Sequence, residues 1–468
     1  MTDLPIYIAG KKVVDGERFS ILNPYTGEAI ASAIKGDKSH IDRAAEDAKL
    51  NAPAFKRADW LRAASALIGY HSEELARILS SEVGKTIREA RIEVDRAARI
   101  FALAIGETER LSGEQAPFGA QPNGQHRFGF FVRRPVGIVG AITPFNVPLA
   151  LAAHKIAPAL GAGNAVILKP AEQAPVAAVR LIEILYEAGF PPESLSVITG
   201  FGPDAGLPLI QHERVGFISF TGSREVGRQI PGWAGPKKVT LELGGNCPLI
   251  VAPSADVNAA AEAACRGGFA QAGQLCISVQ RAIVHESHYQ KFVVSLSHKA
   301  ESLKLGDPLD ESTDMGPMID SEALDRVGAW IADQVGAKIM TGGEAAPPFY
   351  RPTVLTDVPR DAKMSCSELF GPAVIVYPYQ TADEAIELAN GTPYGLQAGV
   401  FTQDLNEAFD FANRLEFGGV MINEAPTFRS DLMPYGGTKE SGLGREGVRF
   451  AMQEMTETKV VGFKNVEL

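Results

Sequence analysis

Among four cysteines, at positions 247, 265, 276 and 366, Cys276 stands apart by context: the run Phe269-Ala-Gln-Ala-Gly-Gln-Leu-Cys276 gives it small or polar neighbours, and Ser278 follows closely. A thiol attacks as its thiolate, which needs partial access and nearby donors or positive potential, whereas apolar burial raises its pKa. A buried structural cysteine is the ordinary alternative for any single thiol. The chemistry must therefore be read from what accompanies Cys276. In Val239-Thr-Leu-Glu242-Leu-Gly-Gly245 a carboxylate sits inside a strand-like apolar run. Burial raises a carboxyl pKa toward neutrality, which suits a base that activates water; a paired carboxylate at a strand end is the plainer reading. Asn146 lies in Ile142-Thr-Pro-Phe-Asn146-Val-Pro148, where prolines fix the local backbone. A rigidly held amide is a useful oxyanion donor, although such a residue is more often part of a turn.

A second group of residues has the character of a phosphate and ribose site. Lys169-Pro-Ala-Glu172 follows the strand-like Ala165 to Leu168, and Gly216-Phe-Ile-Ser-Phe-Thr221-Gly222-Ser223 leads from a strand into a helix containing Glu225 and Gly227. Glycine at such a turn lets backbone amides approach a phosphate. The stretch Gly200-Phe-Gly202-Pro-Asp-Ala-Gly206 imitates a dinucleotide fingerprint with its last glycine one place late, and carries little weight. The cysteines form no CxxC pair and no Cys/His zinc spacing, so no metal ligands are expected.

These residues need a large framework. A chain of 468 residues exceeds what one core usually serves. A net charge of -11 opposes binding to nucleic acid. The amino terminus lacks a secretory pattern, and the apolar stretch Val136 to Leu168 is interrupted by Pro144, Pro148, His154, Lys155 and Pro158, so it reads as buried core and no membrane partner is expected. With the cysteine usage, this suits a reducing cytoplasm. Extended segments at Ile6 to Ala9 and Phe19 to Leu22 precede a turn at Asn23 to Gly27. Ser39 is a candidate cap for a helix carrying Ile41, Ala44, Ala45 and Ala48, and the pattern stays helical from Trp60 to about Gly106. Short apolar runs at Val136 to Ile142, Ala165 to Lys169, Leu195 to Ile198 and Gly216 to Phe220 then alternate with helix-sized segments, the rhythm of a parallel sheet. A second set begins near Val239 and continues through Leu249 to Ala252, Ala282 to His285, Ala373 to Tyr377 and Val420 to Asn423, so two α/β units are expected. Phe128 to Val132 and Thr458 to Lys464 read as strands without a local partner.

In chain order, Thr143-Pro-Phe-Asn146, Lys169-Pro-Ala-Glu172, Phe220-Thr-Gly-Ser223, Leu241-Glu242-Leu-Gly-Gly245, Gly273-Gln274-Leu-Cys276 and Glu368-Leu-Phe370-Gly-Pro372 resemble the aldehyde dehydrogenase superfamily. The match continues through Pro434-Tyr-Gly-Gly437-Thr-Lys439-Glu-Ser-Gly442 and Gly444-Arg-Glu446, effectively covering the chain; Asn246, where many relatives carry Lys, is a local departure. The resemblance implies an α/β fold with a Rossmann-like NAD-binding domain (1–112 and 134–243), an α/β catalytic domain (244–449) and a small β oligomerisation arm (113–133 and 450–468) building a homodimer or homotetramer. It implies that Cys276 attacks an aldehyde, that Asn146 and the Cys276 amide hold the oxyanion, that hydride passes to the nicotinamide, and that Glu242 activates the water that hydrolyses the thioester. Lys169 and Glu172 would serve the adenine-side ribose, Thr221, Gly222 and Ser223 the pyrophosphate region, and Glu368 and Phe370 the nicotinamide side. A carboxylate such as Glu172 would accept from a ribose hydroxyl and repel a 2'-phosphate, which favours NAD with NADP as the alternative.

The pocket implied by the resemblance is lined by His154, Leu275, Ile277 and the loop Asn423-Glu-Ala-Pro-Thr-Phe-Arg429. It is more polar than a long aliphatic aldehyde requires, and the loop resembles the lactaldehyde, non-phosphorylating glyceraldehyde-3-phosphate and phosphonoacetaldehyde branches. A short hydroxylated or anionic aldehyde is expected, with Arg429 the first anion contact; a surface ion pair for Arg429 and a packed core histidine at 154 are the alternatives. A CoA-acylating relative would not need Glu242. A non-catalytic member of the fold would be free to lose Cys276, Glu242 or Asn146. A papain-like hydrolase would need a histidine partner that is not evident.

Overall fold

In the computed structural model, which describes residues 2–465, the apolar stretch after Val136 folds as strand Ile138–Ile142, helix Pro148–Ala162 and strand Ala165–Lys169. Pro148 opens the helix, where its missing N–H costs nothing, and Gly163 ends it in the left-handed region at φ +96°. Every residue of that helix is buried. Among the described residues, no helix is long and apolar enough to cross a membrane.

Both strands belong to an eight-stranded sheet. Its spatial order is Gly442–Leu443, Lys238–Glu242, Phe217–Thr221, Ile138–Ile142, Ala165–Lys169, Leu195–Val197, Ile6–Ile8 and Lys11–Val13. The five strands from Lys238–Glu242 to Leu195–Val197 run parallel. Fully buried strands of this kind read as continuous apolar runs, which is why the sequence marks them well. The expectation that the second set begins near Val239 is corrected here: Lys238–Glu242 pairs with Phe217–Thr221 and belongs to the first sheet.

The second sheet has seven strands, in the order Lys338–Thr341, Thr353–Thr356, Ala373–Tyr379, Val279–His285, Cys247–Val251, Gln397–Phe401 and Gly419–Ile422. All but Lys338–Thr341 run parallel. Two α/β layers are thus present, as expected. The chain crosses from one to the other between Glu242 and Cys247, a four-residue passage that includes Gly244 and Gly245.

The unpartnered strands find each other. Thr456–Lys464 lies antiparallel to Arg127–Pro135, Thr456 opposite Pro135 and Lys464 opposite Arg127, and Glu114–Gln115 joins on the other side. Residues 466–468 of the expected arm lie outside the described residues. The helix Val448–Glu454 differs from the expected division: Val448, Ala451, Met452 and Met455 pack into the core shared by the first sheet and the helices Ile87–Arg110 and Pro148–Ala162. A second correction is local. The helix Lys38–Asp47 is capped by Asp37, whose carboxylate accepts from the Ser39 and His40 amides, so Ser39 lies inside the first turn. Asp37 precedes the first helical residue and can aim its side chain back at these free N–H groups.

Candidate active site

Four parallel strands of the first sheet end at Ile142, Lys169, Thr221 and Glu242, and the candidate residues follow directly: Asn146, Lys169 with Glu172, Thr221 to Ser223, and Glu242 itself. Ligands of open parallel sheets bind outside such carboxyl ends. Cys276 arrives from the other layer, in the turn between helix Val257–Phe269 and strand Val279–His285. The turn is held in a costly conformation. Gln271, Ala272 and Gly273 are all left-handed, with φ of +49°, +54° and +69°, and each non-glycine residue there costs about 1–2 kcal/mol. A side chain at 273 is also excluded, because a Cβ would meet the Gly371 carbonyl at 2.1 Å.

Hydrogen bonds from the first layer stabilise that turn. The Gln271 amide donates to Glu89 Oε1 (2.9 Å), and Asn146 Nδ2 donates to the Gln274 carbonyl (2.8 Å). Lys85 Nζ (2.9 Å) and Gln271 Nε2 both donate to the Asn146 carbonyl. Asn146 and the turn that carries Cys276 are therefore fixed to each other.

Around Cys276 the charges are few and close. Its sulfur lies 3.5 Å from Tyr435 Oη. Burial pushes the thiol up to about 11; the Tyr435 hydrogen bond and Arg429 oppose that shift, while Glu368 and Glu242 add to it. Glu242 is buried, and neither of its oxygens has a hydrogen-bond partner. Burial, with the nearby anion of Glu446, holds its carboxyl well above the usual range. Glu446 itself is held well below that range, despite burial, by Lys155 and Arg429. Lys155 Nζ donates to Glu446 (2.9 Å), Thr221 (2.7 Å) and Ser219 (3.1 Å). Arg429 donates to the other oxygen of Glu446 (2.9 Å) and lies over the Tyr435 ring at 3.7 Å.

Arg429 is thus buried, with 7% of its side chain exposed, and the surface ion pair considered for it does not exist. His154 is buried as well; its Nε2 lies 2.9 Å from Asp431, 3.1 Å from Arg96 and 3.3 Å from Arg429. Burial and the two arginines hold it down to about 4, so the ring is neutral near pH 7.

The remaining candidates form a second group. Lys169, almost fully buried, pairs with Glu172 at 3.1 Å, and burial lowers its pKa. The Gly222 amide donates to the Glu242 carbonyl (3.1 Å). Ser223 caps the short helix Arg224–Gly227 through the Val226 amide, and the Thr221 hydroxyl is engaged by Lys155. Glu368, on the loop before Ala373–Tyr379, accepts from the Gly245 amide at 3.0 Å, and burial pushes it up to about 8. A Cβ at Gly244 would meet that carboxylate at 2.1 Å, so a side chain there would displace Glu368. Phe370, at φ +53°, packs edge-on against Phe145 at 5.9 Å, and both line a cavity of about 240 Å³ beside Gln274 and Arg326.

Tyr435, Lys155, Glu446, Arg96 and Asp431 were given no role by the sequence reading. Lys155 carried a usable signal, the one lysine or arginine in a helix otherwise apolar but for His154, which demands a buried anion somewhere in the chain.

This arrangement of a half-buried thiol, an amide, an unpartnered carboxyl and a parallel-sheet edge defines a class of enzyme that known proteins share. Residues 12–461 match the aldehyde dehydrogenase family. The chain belongs to that family and is an NAD(P)-dependent aldehyde dehydrogenase. It is 44% identical over 462 residues to the 3-sulfolactaldehyde dehydrogenase of Priestia aryabhattai, covering 97% of each chain. Among solved structures, aldehyde dehydrogenase 21 of Physcomitrella patens in complex with the reaction product succinate superposes with a TM-score of 0.96 at 37% identity over 99% of both chains. The glyceraldehyde-3-phosphate dehydrogenase GapN of Methanocaldococcus jannaschii complexed with NADP gives 0.93 at 39% identity over 97% of this chain and all of that one.

Proposed function

We propose that the protein oxidises a short hydroxylated or anionic aldehyde to its carboxylic acid, with NAD favoured and NADP the alternative. The observation that carries this reading is Glu242, a buried carboxyl with no hydrogen-bond partner, close enough for its charge to act on Cys276. The Cys276 thiolate bonds to the aldehyde carbon, and the carbonyl electrons move onto oxygen. Asn146 Nδ2 and the Cys276 amide receive that oxyanion. When bound, NAD(P) supplies the acceptor for the hydride, and the product on Cys276 is a thioester. Glu242, its pKa raised by burial, takes a proton from the water that attacks the thioester.

For the cofactor, the donors Lys169 and Ser223 and the carboxylates Glu172 and Glu368 would hold the riboses and phosphates, with Thr221, Gly222 and Phe370 shaping the cleft. The Glu172 carboxylate beside Lys169 favours a free ribose hydroxyl over a 2'-phosphate. In this reading residues 1–112 and 134–243, with the helix Val448–Glu454 packed against them, form the cofactor domain, 244–447 the catalytic domain, and 113–133 with the strand Thr456–Lys464 an arm for a homodimer or homotetramer. Val460 and Phe463, exposed on the arm, support that last role.

Two buried nitrogens without partners, Arg429 Nε and His154 Nδ1, support recognition of a polar or anionic group next to the aldehyde. The relatives named for sulfolactaldehyde and bound to succinate point to the same substrate class. NADH absorbance with lactaldehyde, succinic semialdehyde, propanal and a longer alkanal tests both parts. The short polar aldehydes should win, and Cys276→Ala should abolish turnover. Preference for the long alkanal would refute the substrate, and full activity of Cys276→Ala the mechanism.

A further inference from the structure

Tyr435 ends on the reacting atom. Its Oη is 3.5 Å from Cys276 Sγ, and among the described residues no other group hydrogen-bonds that oxygen. The ring cannot easily move. The Tyr435 amide donates to the Glu446 carbonyl (3.0 Å) and the Glu446 amide to the Tyr435 carbonyl (2.7 Å). The Arg429 guanidinium covers one face, and Cys247, Ile277 and Leu396 pack around the side chain. Burial, and the negative charge that Cys276 can carry, hold the phenol well above its ordinary pKa, so it stays protonated.

A thiol and a phenol can each donate to the other, but a thiolate can only accept. In the charged state the Tyr435 O–H is therefore the donor, and a hydrogen bond to an ion is stronger than one between neutral groups. The other titratable or charged groups that face the sulfur are Glu368 and Glu242, which disfavour the thiolate, Arg429, which favours it, and the buried thiol of Cys247. The phenol thus offsets part of the burial that opposes ionisation.

We propose that Tyr435 is a catalytic residue that donates its phenolic hydrogen bond to the Cys276 sulfur, stabilising it as a thiolate before attack and again when it is expelled; this rests on Cys276 being the nucleophile. In deacylation, water oxygen bonds to the thioester carbon as its proton passes to Glu242. The tetrahedral intermediate then collapses, the C–S bond breaks and its electron pair goes to sulfur. The proton of Tyr435 stays on the phenol throughout, and its hydrogen bond strengthens as charge builds on sulfur.

Tyr435→Phe keeps the ring, the Arg429 stack and the backbone pairing while deleting the donor. Iodoacetamide alkylation of Cys276, followed by peptide mass spectrometry from neutral pH upward, reads the thiolate directly. Losing one charge-assisted hydrogen bond should raise the thiol pKa by about one unit. The thiolate fraction then falls about tenfold, a more basic thiolate is about threefold more nucleophilic, and net alkylation near neutral pH falls about threefold. Cys366, partly exposed and not among the groups whose charge acts on Tyr435 or Cys276, should alkylate at the parental rate in the same samples. An unchanged Cys276 rate would overturn the proposal, and so would a faster one, which would make the phenol merely a cover. Alkylation needs neither aldehyde nor cofactor, so this failure is distinct from failure of the nucleophile reading, which would appear as aldehyde oxidation surviving Cys276→Ala.

Discussion

Four glutamates lie buried among the described residues, at 82, 93, 242 and 446, and their surroundings separate framework from the proposed reactive centre. In the framework every carboxylate oxygen has a donor. Glu82 accepts from the Val176 and Ala177 amides (2.8 and 3.0 Å) at the start of one helix. Glu93 accepts from Leu149 and Ala150 (2.9 and 3.1 Å) at the start of another, and also from Lys85. Glu93 places negative charge where a helix dipole favours it, while the two amides only partly offset the burial that pushes Glu82 up to about 8. At the centre, Glu446 is saturated by Lys155 and Arg429, whereas Glu242, next to it, accepts nothing. An unpartnered buried carboxyl costs stability. Partnered carboxylates here hold helices and loops in place; the unpartnered one is available to take a proton.

That contrast is most exposed to failure at Glu93. Glu93→Ala would leave Lys85 buried without its anion, together with two free helix amides, and should cost about 3–5 kcal/mol in urea unfolding. A midpoint near that of the parent would break the distinction.

The next largest effect is in pH. His154 is held down to about 4 by burial, then by Arg429 and Arg96, against an ordinary 6.5. Its contribution to stability is therefore complete above about pH 6.5 and is lost as pH falls toward 4, by about 3 kcal/mol. Asp431, held low by His154 and Arg96 despite burial, loses its contribution in the same direction at lower pH. Unfolding free energies across this window should show the decline, and His154→Gln should remove the part above pH 4.

The smallest expected change is Glu242→Gln. Its carboxyl makes no hydrogen bond to lose, so chemical denaturation should stay within about 1 kcal/mol of the parent.

The framework was more legible in the sequence than the electrostatics of the site. Continuous apolar strands such as Ala165–Lys169 and Phe217–Thr221 announce themselves because both faces of a parallel sheet are covered. Gln397–Phe401 went unnoticed, since Gln-Ala-Gly-Val-Phe presents no apolar run, yet it lies inside the second sheet, where Gly399 permits close approach to the Glu424 carbonyl. The strand at Val239 reads in sequence as part of the second sheet because only four residues separate the two layers. Cys276, Glu242 and Asn146 stand out in the sequence through their motifs, and the fold joins the Asn146 amide to the Cys276 turn. The Lys155–Glu446 pair was not, because its partners lie 291 positions apart and only the fold brings them together. Tyr435 lies within the Pro434-Tyr-Gly-Gly motif, but nothing in one dimension shows a phenol meeting a particular sulfur.

The central claim is that Glu242 serves the hydrolysis of a thioester on Cys276, and Glu242→Gln tests it most directly. Rapid mixing of that variant with NAD and a reactive aldehyde should give a burst of NADH close to stoichiometric with subunits. The following turnover should be slowed by about a hundred- to ten-thousandfold, with the acyl group on Cys276 detected by mass spectrometry. Sustained turnover at the parental rate, with no acyl-enzyme, would contradict the account.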